Sequence, residues 1–450
     1  MPLGDRILQP IWLRTWAHPQ LHLLLKKRHE WWRRLRHQPH QVVVWLSLTD
    51  PYSYLLVQTL PQFAASCELR FIFKFLPYQE PTPYFSYYLR DAWHLAQLHQ
   101  LQFHHFHAPS QEHCFTASRL LLANRHLPLT EFLALVKQVF LCLWEHQYQK
   151  LSTLLLCFKQ LSASTTHQQL HQADVLFTSS AAQRPACLYY QGDWFYGVEE
   201  LPLLSQCLNS HTTSHSQANF VCDSASHHTT QGFLINEPQQ LAYIRAQKYD
   251  LDYYFSFDDP LSYIYLAATA QLCDYYQIKL HLKPIAANTA FFSREYSHFE
   301  RLQQQALSYN LQLNRHYILS EQGLSHCFAL FYAAMQQEKS LEISLLLFEA
   351  IWKNSQDVSY LPHLQTVAKA LCLTNSTLNL YLKNAQWQSY LYKNTTAWQT
   401  LDLPCLPSFY LQGERHICAC GAYRLWAIEM ALTDDIKEMP KPNHINTQLS

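Results

Sequence analysis

Two stretches of the chain place a carboxylate and a hydroxyl three residues apart around a proline. The first, "SLTDPYSYLL", contains Asp50 and Ser53, and the second, "SFDDPLSYIYL", contains Asp259 and Ser262. A carboxylate in this position could act as a general base, or it could cap the helix that the proline begins. We favour the cap, because aspartate is among the best N-caps and proline suits the first helical position. The helix N-terminus should also lower the aspartate pKa, which leaves a poor base near neutral pH.

The surrounding residues indicate that the whole arrangement occurs twice. Asp259 lies 209 residues after Asp50, and Pro407 lies 222 residues after Pro185. Each of these prolines precedes a short apolar run and two of the seven glycines of the chain, in "PACLYYQGDWFYG" and "PSFYLQGERHICACG". Because glycine adopts turn conformations that other residues rarely adopt, each segment predicts a hairpin.

The order of predicted elements is the same in both copies. Apolar strands are predicted at "QVVVWLSL" and "DLDYYFSF", and each is followed by a helix and a second strand. About a hundred residues with helical periodicity come next, and each copy closes with the hairpin and a last helix. A strand–helix–strand unit implies a parallel pair of strands. The sequence therefore predicts an α/β protein with two tandem domains, each interrupted by an all-helical insertion.

This order also sets the predicted domain limits. We expect the two domains to pack against each other as an intramolecular pseudo-dimer. The predicted segments are a basic helical arm at 1–40, a first domain at 41–208, a Ser/Thr/His-rich linker at 209–240, a second domain at 241–435 and a tail at 436–450.

Composition excludes several classes of protein. The formal net charge is zero and the pI is about 7.4, so no broad basic field exists to bind nucleic acid. No apolar run approaches the ~18 residues of a membrane span, and the N-terminus does not have the pattern of a secretory signal. Thirteen cysteines without a framework spacing are typical of thiols in a reducing compartment, and we predict a cytoplasmic protein.

The basic arm carries a separate hypothesis. "LHLLLKKRHEWWRRLRH" places leucine and tryptophan on a helical period between cations, as in helices that lie on an anionic membrane. Residues 1–37 could therefore make peripheral membrane contact, or the helix could dock on a domain with its cations solvated. We favour docking.

No metal site is predicted. The histidines of "FHHFH" alternate without a fixed ligand geometry. Cys418 and Cys420 form the one C-x-C of the chain, and we expect them to be incidental thiols in a loop before Gly421.

The two repeated motifs resemble those of a known family. "DPYSYL" is similar to the S-P-Y-S-Y-L/W junction of 2-hydroxychromene-2-carboxylate isomerases and kappa-class glutathione transferases. "PSFYLQG…GAYRL" is similar to their P-T-F-V-V-D-G…G-Q-D-R-L segment, and "PACLYYQGDWFYGVEEL" fits the same segment. These proteins have the thioredoxin fold with a helical insertion, as in its DsbA-like branch. The resemblance covers Gln41–Leu204 and Asp250–Leu432, and it implies two thioredoxin-like domains with a glutathione-type site at the first strand–helix junction.

The resemblance gives a chemical role to the residue before each motif proline. Thiol oxidoreductases of this branch have cysteine there, and the isomerases and transferases have a serine that donates to the glutathione thiolate. Asp50 and Asp259 occupy this catalytic position here, and Ser53 and Ser262 occupy that of the second cysteine of a C-P-x-C site. An ionised carboxylate only accepts hydrogen bonds, and it repels a thiolate. Thiol chemistry is therefore expected to be impaired or altered at both positions.

The resemblance also implies a set of ligand-binding residues. A cis-proline would present main-chain groups of the preceding residue to the cysteinyl unit of glutathione. A G-x-D carboxylate would receive the glutathione amino group, and an arginine follows it. The first copy keeps the carboxylate and the second keeps the arginine, so neither set is complete. The implied ligand-binding residues are Arg184, Pro185, Glu199, Leu406, Pro407, Tyr423 and Arg424.

Three functions follow from these observations. The first is a glutathione- or thiol-linked oxidoreductase, isomerase or transferase with impaired chemistry and glutathione as its cofactor, and the sequence favours it. The second is a binding or scaffold protein whose two clefts take a small-molecule or peptide-like ligand. The third is a peripheral membrane protein recruited by the basic arm.

Overall fold

The computed structural model describes residue 35 and residues 40–209 and 233–432, with short gaps. The described residues divide into two compact units, one with residues 35 and 40–209 and one with residues 233–432. The basic arm, the tail and nearly all of the linker lie outside the described residues, so the membrane contact, the pseudo-dimer and the domain limits stay predictions. The gaps within the described ranges are residues 68, 105, 181, 234, 236, 287–298, 315–318, 371, 373, 385, 414–416 and 422.

The first domain is built on a four-stranded mixed sheet. Strand β1, Gln41–Leu46, pairs in parallel with β2, Arg70–Phe75, and antiparallel with β3, Cys187–Tyr190, which pairs with β4, Asp193–Tyr196. The order β2-β1-β3-β4 places β1 inside the sheet, which explains its apolar sequence. Gln191 and Gly192, with φ of 50° and 101°, form the two-residue turn of the predicted hairpin.

Helices surround this sheet in the predicted order. One helix connects β1 to β2, five form the insertion between β2 and β3, and one follows β4. They are α1 Pro51–Ala65, α2 Phe85–Leu98, α3 Gln111–Ala123, α4 Leu129–Trp144, α5 Tyr148–Cys157, α6 Ala163–Thr178 and α7 Leu201–Asn209.

The second domain repeats this sheet. Its strands are ordered β6-β5-β7-β8, with β5 and β6 parallel and the other neighbours antiparallel. Cys418 and Cys420 lie in the last strand, so the prediction that they occupy a loop is wrong. The strands are β5 Asp250–Phe255, β6 Lys279–Pro284, β7 Ser408–Gln412 and β8 Ile417–Cys420.

The helices of the second domain follow the same plan. A short helix precedes β5, one connects β5 to β6, an insertion separates β6 from β7, and one follows β8. They are α8 Pro238–Ala246, α9 Pro260–Tyr276, α10 Phe299–Ser308, α11 Glu321–Met335, α12 Ser340–Phe348 with a π-helical turn at Glu349–Lys353, α13 Leu361–Ala370, α14 Asn375–Lys383, α15 Gln386–Gln399 and α16 Leu425–Leu432.

A buried tryptophan fixes the insertion to the strand–helix junction in each domain. Trp144, at the end of α4, donates its indole N–H to the C=O of Leu48 at 3.2 Å. Trp352, in the π-helical turn, donates to the C=O of Phe257 at 3.1 Å. Both indoles are fully buried, and both acceptors lie two residues before a junction aspartate. The same bond therefore holds the insertion against the same point in both domains.

The predicted fold class is confirmed. Each domain is a β-α-β unit and a β-β-α unit joined by a helical insertion, which is the DsbA-like form of the thioredoxin fold. None of the helices described above combines the length and the apolar character that a bilayer span requires.

Candidate functional site

Asp50 caps α1, as the sequence predicts. It is the N-cap residue, with extended backbone, and Pro51 is the first helical residue. Its Oδ2 accepts from the main-chain N–H of Ser53 at 2.7 Å and from the Ser53 hydroxyl at 2.7 Å. The Ser53 oxygen accepts in turn from the main-chain N–H of Ser47 at 3.1 Å. The two side chains that could do chemistry at this junction are therefore bonded to each other.

Asp259 caps α9 in the same way. Its Oδ2 accepts from the main-chain N–H of Ser262 at 2.7 Å, and the Ser262 hydroxyl donates to the same oxygen. The neighbouring Asp258 accepts from the Ser256 hydroxyl at 2.6 Å. Asp258 and Asp259 are 5% and 4% exposed, so two carboxyl groups are buried side by side at this junction.

Burial raises the pKa of both capping aspartates. For Asp50, the loss of hydration outweighs the hydrogen bonds from Ser53 and the charge of Arg184, which lower the pKa. For Asp259, burial together with the charge of Asp258 outweighs its own hydrogen bonds and raises the pKa to about 7. The predicted lowering of these pKa values is wrong, because it considered the helix N-terminus and left out desolvation.

Arg184 lies close enough to Asp50 for its charge to lower the pKa of that carboxyl. Its guanidinium carbon is 4.7 Å from the ring centroid of Tyr52 and 5.7 Å from that of Tyr196. Its charge opposes the effect of burial on the pKa of Asp50 and of Cys187. The first domain therefore places a cation between two aromatic rings beside its capping carboxylate.

The sheet register shows how the two hairpins align. In the first domain Trp45 of β1 pairs with Cys187, and in the second the equivalent Tyr254 of β5 pairs with Ser408. Cys187 and Ser408 are 221 residues apart, one fewer than the 222 residues between the two motif prolines. The prolines are therefore not equivalent in the structure.

With this register, Pro407 aligns with Ala186, and Leu406 aligns with Pro185. Among the described peptide bonds, the one between Leu406 and Pro407 is cis and the one between Arg184 and Pro185 is not. Ala186 instead has a φ of 55°, which a proline cannot adopt. The predicted cis bond is confirmed in the second domain and wrong in the first.

Because of this one-residue shift in register, Leu406 and Arg184, which the sequence treated as equivalent, occupy different positions. Leu406 is 8% exposed and packs with Tyr254 and Ile285 in a small apolar cluster. Arg184 aligns with Cys405, two residues before Pro407. The first domain therefore has a cation where the second has a thiol.

Two glutamates follow β4, and the one that the structure buries is not the one that the sequence marked as a ligand residue. Glu199, predicted to bind a glutathione amino group, is half-buried. Glu200, which the sequence did not mark as a ligand residue, is buried and accepts from the main-chain N–H of Tyr196. The structure thus uses the Glu200 carboxylate to fix the end of the hairpin.

In the second domain, the predicted ligand residues Tyr423 and Arg424 contact other residues of the protein. The main-chain N–H of Tyr423 donates to the hydroxyl of Tyr265 at 2.8 Å. Arg424 is 5% exposed, and its guanidinium carbon lies 5.9 Å from the ring centroid of Trp426. Ala422, between Gly421 and Tyr423, lies outside the described residues.

A cleft of about 840 Å³ opens beside the Asp50 junction, and the sequence did not predict it. It is lined by Leu48 and Thr49, which follow β1, and by Leu76, Pro77 and Tyr78, which follow β2. The carboxyl ends of neighbouring parallel strands are a frequent ligand position in open α/β sheets. The helical insertion provides the remaining lining residues, which are Ser110, Gln111, Glu112, Cys114, Phe115, Ser118, His167, Leu170, His171 and Asp174.

The cleft combines apolar surface with imidazole and carboxylate groups. His167 stacks on Phe115 with ring centroids 4.4 Å apart. Burial raises the pKa of Cys114 to about 12, so this residue is a thiol and not a thiolate at neutral pH. The spacing of His167 and His171, one turn apart on α6, was the sequence signal that could have indicated this surface.

The described residues include no group of three or more His, Cys, Asp or Glu side chains that could bind a metal ion.

Comparison with known families covers the second half of the chain. The DSBA-like thioredoxin domain family matches residues 250–433. These residues therefore form a DsbA-like thioredoxin domain, and the first domain has the same sheet order and a helical insertion. No curated protein matches the chain.

Solved structures of similar proteins match one domain's length of this chain. A 2-hydroxychromene-2-carboxylate isomerase is 18% identical, with 41% of this chain and 94% of that chain covered and a TM-score of 0.35. A protein described as a putative protein disulfide isomerase from Nitrosomonas europaea is 12% identical, with 41% and 95% covered and a TM-score of 0.35. The cytosolic disulfide reductase DsbM from Pseudomonas aeruginosa is 12% identical, with 41% and 95% covered and a TM-score of 0.32.

Proposed function

We propose that the protein is a ligand-binding DsbA-like protein whose first domain takes a small organic molecule in the cleft beside Asp50. Neither aspartate-capped junction, in this proposal, carries out thiol–disulfide exchange. The main support for it is the cleft of about 840 Å³ at the ends of β1 and β2, beside a junction that has no thiol. A pocket of this size is typical of small-molecule sites.

The hydrogen bonds of the junctions support the absence of thiol chemistry. Each serine hydroxyl donates to its own aspartate, so its proton is engaged within the protein. Each aspartate provides acceptor oxygens once ionised, and it then repels a thiolate. Stabilising a glutathione thiolate requires a donor, and neither Asp50–Ser53 nor Asp259–Ser262 offers one once its aspartate is ionised.

The lining of the cleft indicates the class of ligand. Leu48, Leu76 and Phe115 provide apolar surface for a ring, and Glu112 and Asp174 provide carboxylates. No lysine or arginine is among the lining residues that the structure describes, and the cationic groups that these residues offer to an anion such as glutathione are imidazoles. The proposed ligand therefore has an aromatic or apolar body and a cationic or hydrogen-bond-donating end. Glutathione, which the resemblance suggests, is the alternative occupant.

Two probes of similar shape and opposite charge test this ligand class. Isothermal titration calorimetry with the full-length protein at slightly alkaline pH would compare tryptamine, indole-3-propionate and glutathione. We expect tryptamine to bind more tightly than indole-3-propionate, and Asp174→Asn to weaken tryptamine binding about tenfold or more, as for a lost charge-assisted hydrogen bond. Gln172→Asn, on the same helix but outside the lining, is the matched control. Tighter binding of glutathione than of tryptamine would replace this proposal with the glutathione-linked one.

The pKa of Asp259 favours a second candidate, an isomerase-type proton transfer in the second domain. A carboxyl group with a pKa of about 7 is partly protonated near neutral pH, which suits general acid–base catalysis. Turnover of 2-hydroxychromene-2-carboxylate, with and without glutathione, would be measured against pH. Asp259→Asn should abolish any activity of this kind, and Asp50→Asn should leave it unchanged. Absence of turnover in the wild-type protein rejects this candidate.

A further inference from the structure

We propose that Cys405 and Cys420 form a reversible disulfide, so that the second domain carries a dithiol site at its hairpin and not at the N-terminus of its first sheet-connecting helix. The two Sγ atoms are 3.2 Å apart. Cys405 is half-buried in the segment before β7, and Cys420 is 5% exposed at the end of β8. This site is distinct from the ligand cleft of the first domain and does not depend on the proposed function.

The backbone on both sides of the pair is fixed by hydrogen bonds. Ser408 pairs with Cys420 across β7 and β8, and its hydroxyl donates to the C=O of Cys405 at 2.5 Å. The N–H of Gly421 donates to the C=O of Pro407 at 2.8 Å. These bonds tie the segment that carries Cys405 to the end of the strand that carries Cys420. Formation of an S–S bond of ~2.05 Å then requires a movement of about 1 Å between the two sulfur atoms.

Comparison with the first domain shows that the contact between two thiols is specific to the second domain and is not required by the fold. The register aligns Cys405 with Arg184 and Cys420 with Tyr196. In the first domain these two positions also touch, but as a guanidinium over an aromatic ring. The same pair of adjacent positions is therefore a cation–π contact in one domain and a pair of thiols in the other.

The exchange needs a disulfide as oxidant, and a glutathione disulfide or a protein disulfide is the class that fits. The thiolate of the half-buried Cys405 attacks one sulfur of that disulfide, whose S–S bond breaks and releases one thiol. The thiolate of Cys420 then attacks the Cys405 sulfur of the mixed disulfide and releases the second thiol. Two protein thiols lose two protons and two electrons in total, and the oxidant is reduced to two thiols.

The test uses the full-length protein equilibrated in buffers with a series of glutathione to glutathione disulfide ratios. Thiols are then trapped by alkylation and mapped by mass spectrometry after tryptic digestion. Cleavage at Lys393, Arg415 and Arg424 separates the peptide with Cys405 from the peptide with Cys420. We expect oxidation to join these two peptides with the loss of two hydrogens, to lower alkylation of both cysteines at least about tenfold, and to be reversed by dithiothreitol.

Single variants distinguish the proposed pair from other oxidised forms. Cys405→Ser and Cys420→Ser should abolish the linked peptides, while Cys418→Ser, on the same strand, should keep them. The exposed thiols of Cys157 and Cys372 report general oxidation in the same samples. A link that survives in Cys420→Ser, a glutathione adduct on Cys405 without a link, or unchanged alkylation over the whole series would each overturn the proposal.

Discussion

The two domains share the capped junction and differ in what surrounds it. In both, an aspartate accepts from the main chain and the hydroxyl of a serine three residues later. In the first domain Thr49 precedes the aspartate and Arg184 lies beside it. In the second, the buried Asp258 precedes Asp259. The cap is thus common to both domains, whereas the charge around it is not.

The features that the two domains share are those that the fold requires, and the function of each site is expected to depend on the residues that differ. The cap and the indole bond to the preceding strand end recur because each domain must stop a strand, start a helix and hold an insertion at the same place. Arg184 and Cys405 occupy equivalent positions and contact residues at equivalent positions, Tyr196 and Cys420, without serving that architecture. Function is therefore expected to differ between the domains at these positions, and each prediction below compares matched residues.

The largest effect is expected from the two buried indoles. Trp144→Ala and Trp352→Ala should each destabilise their own domain by about 3–5 kcal/mol, because a large cavity opens and a junction carbonyl loses its donor. Hydrogen exchange of each domain's peptides in urea measures the two effects separately. Trp387→Ala, at a half-buried position, is the control and should cost less. An unchanged exchange in either domain would show that the indole does not fix its insertion.

The pH dependence should differ between the domains. The pKa of Asp259 is about 7 in the folded protein and ~3.9 in an unfolded chain, so the folded state holds this proton more tightly. The resulting stability is complete below about pH 4 and is lost as pH rises towards 7, by on the order of 3 kcal/mol. Asp259→Asn keeps a capping side chain and should flatten this decline.

The matched measurement in the first domain sharpens this comparison. Burial raises the pKa of Asp50 as well, but Arg184 opposes it. Asp50→Asn should therefore change the pH dependence of the first domain less than Asp259→Asn changes that of the second, as followed by urea unfolding at pH 5 and pH 8. Equal slopes in the two domains would contradict the role given to Arg184.

The glycines that end the two hairpins should also respond differently to alanine. Gly197 and Gly421 both have positive φ, of 61° and 85°, so either change strains the backbone. A Cβ at Gly197 meets no atom within 4 Å, whereas one at Gly421 lies 3.1 Å from the sulfur of Cys405. We expect a loss of about 1 kcal/mol for Gly197→Ala and a larger loss for Gly421→Ala. Thermal unfolding with domain-resolved exchange checks the order.

The sequence predicted the fold because its signals are local. Strands, the Asp–Pro helix starts and the glycine turns depend on neighbouring residues, and they recur in the same order. The predicted cis bond before Pro185 was wrong because Pro185 aligns with Pro407 by sequence but lies one residue away from it in the sheet register. The aspartate pKa values, the cleft and the contact between Cys405 and Cys420 depend on burial and on residues distant in sequence, which no local pattern contains.

The smallest expected change in stability comes from restoring serine at both junctions. Serine and aspartate are similarly good N-caps, so the double variant Asp50→Ser, Asp259→Ser should differ from wild type by under ~1 kcal/mol at about pH 4, where the carboxyl of Asp259 is still protonated in the folded state. Its effect on a bound thiol should be larger. Removing the carboxylates removes repulsion and supplies a hydroxyl donor, so the variant should bind glutathione more tightly and ionise its thiol at lower pH. Because the carboxyl of Asp259 ionises only as pH approaches about 7, the difference in the second domain should widen above that pH.

A thiolate absorbance titration of both proteins with bound glutathione decides the matter, and the single variants assign the effect to a domain. Asp50→Ser should act across the whole range in which Asp50 is ionised, and Asp259→Ser mainly above neutral pH. If the wild-type protein ionises bound glutathione more readily than the double variant, the carboxylates assist thiol chemistry. The junctions would then be active sites in which aspartate replaces serine, and the shared cap would be the functional element while its differing neighbours tune it.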